Sequence, residues 1–277
     1  MTSPTPADPD LAFDVHEVSF SYNQHPALNS LSMHVCRGER VALLGANGSG
    51  KSTLLRLLAG LSFPHQGGVS FFGDPLSERS LEDEEFFFRF RRRVGVVFQN
   101  PDIQLFSPSV FDELAFGPLQ LGWPRKKIRH AVEHLLEAMD IGHLRDRAPH
   151  RLSGGEKKRV AIASVLILDP EVLLFDEPAA ALDPHSQAYV VDFLVSCRSS
   201  LKTVVVATHD LDILEDIADR CYVLEDGRMK GEGAPLDVLH DVKLLEQSRL
   251  IRPHHHGHRG DATHPHPHLH LHEDDRP

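Results

Sequence analysis

One segment of this 277-residue chain constrains its fold more than any other, the glycine-rich run Gly45–Ser52. Its letters, GANGSGKS, fit the pattern GxxxxGK[ST]. An apolar run, Arg40–Leu44, precedes it, and helical apolar spacing over Ser52–Leu61 follows it. A strand, loop and helix in this order turn backbone N–H groups and the positive end of the helix dipole toward a phosphate group. The sequence therefore predicts a phosphate-binding loop at the end of a buried strand.

The loop offers three kinds of contact to a nucleotide. Glycines let the backbone N–H groups surround the phosphate oxygens, because no side chain blocks the approach. Lys51 is predicted to act as a point charge on the terminal phosphates, and the Ser52 hydroxyl as a Mg²⁺ ligand. The predicted nucleotide contacts are Gly45, Asn47, Gly48, Ser49, Gly50, Lys51, Ser52 and Thr53.

A second element brings two carboxylates to the end of another strand. The apolar run Val172–Phe175 is typical of a buried strand, and Asp176 and Glu177 follow it directly. Asp176 would hold Mg²⁺, and Glu177 would polarise the attacking water. Such a pair is common in solvated turns, but in a chain with a phosphate loop it indicates nucleotide hydrolysis.

The third element is Leu152–Glu156, with the letters LSGGE, at the predicted start of a helix. A serine and two glycines there form another nest of N–H donors, and because one chain needs only one phosphate loop, this second nest indicates that a second molecule is recognised. At this point the sequence resembles the nucleotide-binding subunits of ATP-binding cassette (ABC) transporters, over about residues 11–240. The resemblance implies a head-to-tail dimer in which one subunit's signature segment, Ser153, Gly154, Gly155 and Glu156, closes over the ATP of its partner.

The resemblance also implies roles for four further residues. Tyr22 would stack on adenine, and Gln99 would sense Mg²⁺ and water. Asp183 would bridge the two sites, and His209 would contact the γ-phosphate. The implied catalytic residues are Lys51, Gln99, Glu177 and His209, and the implied Mg²⁺ ligands are Ser52, Gln99 and Asp176.

The fold class follows from strands that alternate with helices. We expect an α/β fold of the P-loop NTPase kind, with a mostly parallel core sheet, a small antiparallel β subdomain and a helical signature subdomain. Gly117–Pro118 should break a helix, and a helix should cover Leu211–Arg220. The predicted divisions are a disordered arm (1–10), an ATPase domain (11–240) with its helical subdomain at 102–165, a short extension (241–253) and a disordered histidine-rich tail (254–277).

Composition and charge indicate where in the cell the chain works and which partners it disfavours. The formal net charge of -11 disfavours binding to nucleic acid, because both carry negative charge. The scattered Cys36, Cys197 and Cys221 form no CxxC pair and suggest a reducing compartment. No apolar run approaches the ~20 residues that span a bilayer, and the N-terminus lacks the features of a signal peptide. We therefore expect a peripheral protein on the cytoplasmic face of the cell membrane, held there by membrane-embedded subunits.

The segment after Gln99 points to one branch of the family. Residues 100–118 are similar to the energy-coupling-factor (ECF) importers, especially their cobalt and nickel ATPases. In ABC transporters this region forms the groove for the membrane subunit. The residues that could line it are Leu105, Phe106 and Phe111, with Asp112 and Glu113 as an acidic rim, although the same aromatic residues also fit the core of a helical subdomain.

The tail carries nine histidines within residues 254–277. Neutral imidazole binds Ni²⁺ and Co²⁺ well, and closely tethered ligands act together. The candidate ligands are His254, His255, His256, His258, His264, His266, His268, His270 and His272. A low-complexity tail that binds metal incidentally is the alternative.

The leading hypothesis is an ATP-hydrolysing subunit that energises a membrane importer of nickel or cobalt. ATP and Mg²⁺ are its expected ligands, with Ni²⁺ or Co²⁺ at the tail, and a second ATPase subunit is its expected partner. A vitamin importer of the ECF type is an alternative, as is a soluble ABC ATPase. A metal-storage protein would leave the hydrolytic site unexplained. The sequence leaves open whether the dimer pairs two identical chains or this chain with a paralogue.

Overall fold

The computed structural model of the protein describes residues 10–251. Residues 1–9 of the predicted arm lie outside this range, and so does the whole histidine-rich tail. In the described range the strands are β1 (Leu11–Tyr22), β2 (His25–Cys36), β3 (Arg40–Leu44), β4 (Gln66–Phe71), β5 (Asp74–Pro75), β6 (Val94–Val97), β7 (Val172–Asp176), β8 (Thr203–Thr208), β9 (Arg220–Glu225) and β10 (Arg228–Gly233). The α-helices are α1 (Lys51–Leu58), α2 (Glu78–Glu82), α3 (Glu84–Arg93), α4 (Val110–Gln120), α5 (Arg125–Ala138), α6 (Gly154–Leu166), α7 (Pro184–Ser196), α8 (Leu214–Ile217), α9 (Pro235–His240) and α10 (Val242–Gln247).

The larger sheet is the scaffold of the molecule. Its strand order is β10-β9-β3-β8-β7-β6, and every pairing is parallel except that of β10 with β9. Parallel strands are covered on both faces and so read as continuous apolar runs. Because β3 and β7 run the same way, the segments that follow them emerge at the same edge of the sheet. This edge receives the phosphate loop and the carboxylate pair.

Side chains of the larger sheet alternate between two separate cores. In β3, Val41 and Leu43 belong to one core, while Ala42 and Leu44 belong to the other. The first core also holds the apolar side of α1 and the smaller sheet, and the second holds α4, α5 and α6. The two-residue period of a strand thus joins α1 and the helices α4, α5 and α6 to opposite faces of one sheet.

The smaller sheet is antiparallel, with the order β2-β1-β4-β5. Its two long strands carry register shifts, and Glu17 and Ser30 have positive φ of 46° and 49° there. Such bulges bend a strand and interrupt its alternation. Together the two sheets and the helices confirm the expected α/β fold with a mostly parallel core and an antiparallel β subdomain.

Two local expectations are wrong. The helix α4 runs through Gly117 and Pro118 instead of breaking there. Pro118 lies in the last turn of α4 and is buried, and a Cβ at Gly117 would lie 3.2 Å from Leu168, so close packing holds this segment. The helix expected over 211–220 is reduced to α8, because Arg220 already belongs to β9.

None of the helices in residues 10–251 is both long enough and apolar enough to cross a bilayer.

Candidate nucleotide-binding site

The phosphate loop lies between β3 and α1, as predicted, and its glycines are required there. Gly45 and Gly50 have φ of 154° and 109°. A Cβ at Gly50 would lie 2.8 Å from the carbonyl oxygen of Ala27, and one at Gly45 would overlap the carbonyl of Leu224. Both positions therefore exclude side chains on steric grounds as well as on backbone conformation.

Lys51 points back into the loop at the start of α1. Its Nζ donates to the carbonyl oxygens of Gly45 at 2.6 Å and Ala46 at 3.3 Å. The same Nζ lies 3.3 Å from Glu177 Oε1, and both side chains are almost fully buried. A buried ammonium among acceptors is a strong local positive charge, suited to a phosphate group.

Glu177 occupies the centre of the site. Its φ is 43°, which is unusual for a residue other than glycine, and its N–H donates to the carbonyl oxygen of Ala207 at 2.9 Å. Glu177 Oε2 lies 2.9 Å from Nδ1 of the half-exposed His209. Because a carboxylate only accepts hydrogen bonds, Nδ1 carries the hydrogen, which leaves Nε2 for another group.

Ser52 and Asp176 meet beside this centre. Ser52 Oγ donates to Asp176 Oδ1 at 2.9 Å. Burial raises the pKa of Asp176 and the neighbouring Glu177 raises it further, while the hydrogen bond from Ser52 and the charges of Lys51 and Lys158 lower it. A hydroxyl and a carboxylate side by side are the oxygen donors that Mg²⁺ prefers. Ser49 Oγ is buried in the same loop with no hydrogen-bond partner among residues 10–251, so the donor set fits a phosphate-bound Mg²⁺.

Glu177 and His209 face a cavity of about 480 Å³. Ala179, Ala180 and Ala181 line another side of it, and Leu250 lines it close to the end of the described chain. The cavity lies at the carboxyl edge of the larger sheet, where the predicted reaction would occur.

The LSGGE segment forms a capped helix start. Ser153 is the N-cap of α6: its Oγ accepts from the N–H of Glu156, and Glu156 Oε2 accepts from the N–H of Ser153 at 2.7 Å. Hydrogen bonds to the Glu156 carboxylate from the backbone N–H and the side chain of Ser153 lower the pKa of Glu156. Ser153 and Gly154 are exposed. The start of α6 is therefore open to solvent at Ser153 and Gly154.

Asp183 lies next to that helix within the same chain. It caps α7, and its Oδ2 accepts from Ser186 Oγ at 2.7 Å, a contact that lowers the pKa of Asp183. A Cβ at Gly155 would overlap Ser186, so α6 and α7 touch here. Asp183 and the LSGGE segment thus form one surface.

The predicted site residues fall into two groups. The loop 45–52, Asp176, Glu177 and His209 share one site. No hydrogen bond or ion pair among residues 10–251 joins the LSGGE segment to the loop 45–52. Within the described chain the two groups therefore lie on separate surfaces.

Tyr22 and Gln99 are both exposed, and neither belongs to the two groups of residues just described. Tyr22 ends β1 with 43% of its surface exposed, and its ring meets Phe20 edge-on at 4.8 Å. The Gln99 side chain is exposed directly beyond β6. Both side chains are accessible to a ligand.

Sequence reasoning missed Lys158. This lysine of α6 is 1% exposed, and its Nζ donates to the carbonyl oxygens of Phe98 at 3.0 Å and Gln99 at 2.9 Å. Burial lowers its pKa to about 8, although the charge of Asp176 opposes this. A lysine on the buried face of an amphipathic helix was the available signal.

The structure divides the predicted groove residues. Phe106 is 66% exposed and meets Phe116 edge-on at 4.9 Å. Phe111 instead packs against the core with the Arg145 guanidinium 4.5 Å from its ring centroid. Glu113 is buried, and its Oε2 accepts from the N–H of Phe106 at 2.9 Å. Glu113 therefore holds the segment before α4 in place and does not form an acidic rim.

A parallel sheet with a phosphate loop after β3 and a carboxylate pair at the end of β7 defines a nucleoside-triphosphatase. The family model described as ABC transporter matches residues 28–180. The chain belongs to the ABC transporter family, and it is an ATP-hydrolysing subunit of that family. The predicted resemblance is confirmed.

Two relatives in sequence and one in structure place the chain within the family. It is 54% identical to the nickel import ATP-binding protein NikO of Rhodobacter capsulatus, over 87% of this chain and 96% of that protein. It is 41% identical to the energy-coupling factor transporter ATP-binding protein EcfA of Methanothermobacter thermautotrophicus, over 87% of this chain and 76% of that protein. The structure of cbiO1 from Clostridium perfringens, part of the ABC transporter complex cbiONQ, superposes with a TM-score of 0.73 at 37% identity, covering 87% of this chain and 95% of that one.

Proposed function

We propose that this chain hydrolyses ATP to energise a membrane importer of nickel or cobalt ions. The observation that carries the proposal is its 54% identity to a nickel import ATP-binding protein over 87% of the chain. Both halves of an ATP site are present: the loop 45–52 with Glu177, and the outward-facing LSGGE cap.

The contacts support a role for each residue of the hydrolytic group. Lys51, held by two loop carbonyls, neutralises the terminal phosphates. Glu177, fixed between Lys51 and His209, orients and polarises the attacking water. Ser52 and Asp176 would hold Mg²⁺, with Gln99 as the third proposed ligand, and the ion would offset the negative charge of the phosphates. His209 Nε2 is free to meet the γ-phosphate while Nδ1 remains on Glu177.

We propose a head-to-tail dimer as the working unit. Four phosphate charges cannot be buried without compensation, and the described chain splits the compensating groups between two surfaces. A second subunit would bring Ser153, Gly154 and Gly155 onto the nucleotide held by this one, and Asp183 would join the two sites. ATP then favours the closed dimer by differential binding, and hydrolysis removes the ligand that holds it closed.

A membrane-embedded subunit would hold the protein at the cytoplasmic face of the membrane. A cleft of about 920 Å³ between α3 and the end of α4 offers it a docking site. Phe88 and Arg92 line one wall and Gln120 and Trp123 the other. Arg92 has no ion pair within residues 10–251. Because Phe116 lies one helical turn before Gln120, the exposed aromatic pair of Phe106 and Phe116 extends the same surface.

The tail is our proposed metal-binding segment. Within residues 10–251 no three histidine, cysteine, aspartate or glutamate side chains form a metal-binding group. The nine histidines after residue 253 therefore remain the candidate ligands for Ni²⁺ or Co²⁺. They follow a segment that lines the cavity of Glu177 and His209.

Uptake of radiolabelled nickel and cobalt by cells that carry or lack this protein tests the proposal. We expect uptake of one metal to disappear without the protein and to return with the intact chain. Lys51→Ala should fail to restore it, because the phosphate charge loses its buried partner. Lys126→Ala, an exposed lysine of α5, is the matched control and should restore uptake fully.

Unchanged uptake of both metals would contradict the proposal that the importer carries nickel or cobalt. Accumulation of labelled vitamins, measured in the same cells, would then support the vitamin importer. ATP hydrolysis by the purified chain, lost in Lys51→Ala, would separate either transporter from a protein that merely stores metal.

A further inference from the structure

A buried lysine, Lys158, connects the residues directly after β6, which include Gln99, to α6, the helix that begins with the LSGGE segment. Lys158 Nζ, on α6, donates to the carbonyl oxygens of Phe98 and Gln99 at 3.0 and 2.9 Å. The two carbonyls belong to consecutive residues directly after β6. An ammonium group carries several N–H donors and so can hold both carbonyls at once.

Gln104 makes a second connection between the same two segments. Its Oε1 accepts from the N–H of Phe98 at 3.3 Å, and its Nε2 donates to the carbonyl oxygen of Ala161 on α6 at 2.9 Å. Lys158 and Gln104 together are called the α6 clamp below. The two side chains of the clamp thus provide hydrogen-bond partners for the N–H and C=O of Phe98 and for the C=O of Gln99.

Close packing leaves little room for the helix to slide on the strand. A Cβ at Gly95 of β6 would overlap the Val165 side chain of α6 and lie 3.0 Å from Pro170. The strand is therefore in direct contact with α6 at one end of the helix, and the clamp holds the strand's exit at the other. Packed interfaces of this kind move as units rather than deform.

The choice of a charged residue is informative, because burying an ammonium is costly and an apolar side chain would fill the same space. Here the cost is offset by hydrogen bonds to the backbone of Gln99, the residue proposed to sense Mg²⁺. At its start, about one turn before Lys158, α6 exposes Ser153 and Gly154, which serve the partner's nucleotide in the proposed dimer. One helix thus touches the surroundings of both ATP sites.

We propose that Lys158 is a positioning residue that links the two ATP sites of the dimer through α6. When the partner's ATP engages Ser153, the helix carries the backbone of Gln99 with it and sets this glutamine in its own site. Binding at one site then favours the productive arrangement at the other, and the reverse holds by linkage. The inference rests on the proposed dimer and deepens it.

The test compares substitutions of Lys158 in the full chain. Lys158→Met keeps the length of the side chain but removes its donors, and Lys158→Arg keeps donors. Lys202→Met is the matched control, since Lys202 Nζ also donates to a backbone carbonyl, that of Pro170 at 2.7 Å, but at the amino edge of the sheet. Phosphate release against ATP concentration, ATP binding and thermal unfolding are measured for each protein.

We expect the wild-type chain to hydrolyse ATP with a Hill coefficient above 1 and at most about 2. Lys158→Met should lower kcat roughly 10- to 100-fold, because Gln99 is misplaced, and bring the Hill coefficient to about 1. Its ATP affinity should stay within about twofold, because Lys51 and the loop are untouched. Lys158→Arg should recover most of both losses, and Lys202→Met should match wild type.

A Lys158→Met protein with wild-type kcat and Hill coefficient would overturn the proposal. So would a folded Lys158→Arg that is no better than Lys158→Met, or a wild-type chain that hydrolyses ATP with a Hill coefficient of 1. If Lys158→Met fails to fold, Gln104→Leu, which removes the other half of the clamp, must show the same loss of cooperativity. A wild-type chain that hydrolyses no ATP would refute the proposed function, and with it this inference.

Discussion

At the scale of single residues, Glu177 is the most constrained group in the site. It combines a positive φ of 43° with two contacts to its carboxylate, Lys51 Nζ at 3.3 Å and His209 Nδ1 at 2.9 Å. Strain of this kind costs about 1–3 kcal/mol and persists only where the surroundings impose it. The backbone hydrogen bond to Ala207 supplies part of that constraint.

Glu177→Gln should bind ATP, accumulate as a dimer and hydrolyse ATP roughly 10²- to 10⁴-fold more slowly. Glutamine keeps the size of the side chain but polarises water poorly, so the ATP that holds the dimer closed remains. Size-exclusion chromatography with ATP and phosphate-release assays measure both effects. Glu171→Gln is the control, since Glu171 lies at the opposite end of β7 in an exposed pair with Arg93. Near-normal hydrolysis by Glu177→Gln would remove Glu177 from the proposed catalytic role.

The sequence predicted the residues of the site better than their connections. The phosphate loop and the carboxylate pair could be predicted because each follows an apolar run and has a fixed spacing. The place of Lys158 on α6 could indicate its burial but not its role, because its partners are backbone carbonyls at residues 98 and 99, and backbone partners leave no mark in the sequence. The separation of Leu105, Phe106 and Phe111 into core and surface likewise depends on tertiary packing.

At the scale of elements, the larger sheet was predictable and its periphery was not. β2 was missed because Ser30, with φ of 49°, interrupts the alternation between Leu28 and Leu31. α3 was missed because its apolar residues are consecutive phenylalanines among arginines. Only Phe86 and Phe90 of α3 are buried, one helical turn apart. Arginines cover the rings, as with Arg89 over Phe86 at 5.2 Å.

The α4 region yields a prediction that separates docking from folding. Phe106→Ser should reduce metal uptake while leaving basal ATP hydrolysis and thermal stability unchanged, because the ring is 66% exposed. Phe111→Ser should destabilise the chain by about 2 kcal/mol, because this ring packs on the core beneath Arg145. Uptake, phosphate release and thermal unfolding of both variants are compared. If Phe106→Ser unfolds at a lower temperature or transports normally, the exposed ring is not part of a docking surface.

At the scale of the whole molecule, the two cores and the tail have different roles. One core fixes the phosphate loop to the larger sheet, and the other fixes the helical subdomain that carries the LSGGE cap. Because both cores share the same strands and α6 packs on β6, a movement of α6 bears directly on Gln99. Leu250, close to the end of the described residues, lines the cavity of Glu177 and His209.

The tail yields a pH-dependent prediction for the intact chain. Wild-type protein should bind Ni²⁺ or Co²⁺ at neutral pH and lose the metal as pH falls toward and below ~6.5, because protonated imidazole has no lone pair for a metal. A full-length variant with all nine tail histidines changed to glutamine should bind much less metal at pH 7 and show no such pH dependence. Calorimetric titration measures both proteins, and ATP hydrolysis checks that the ATPase domain is intact. Equal metal binding by the two would refute metal binding by the tail and leave the ATPase assignment standing, since every group of the hydrolytic site lies between residues 45 and 209.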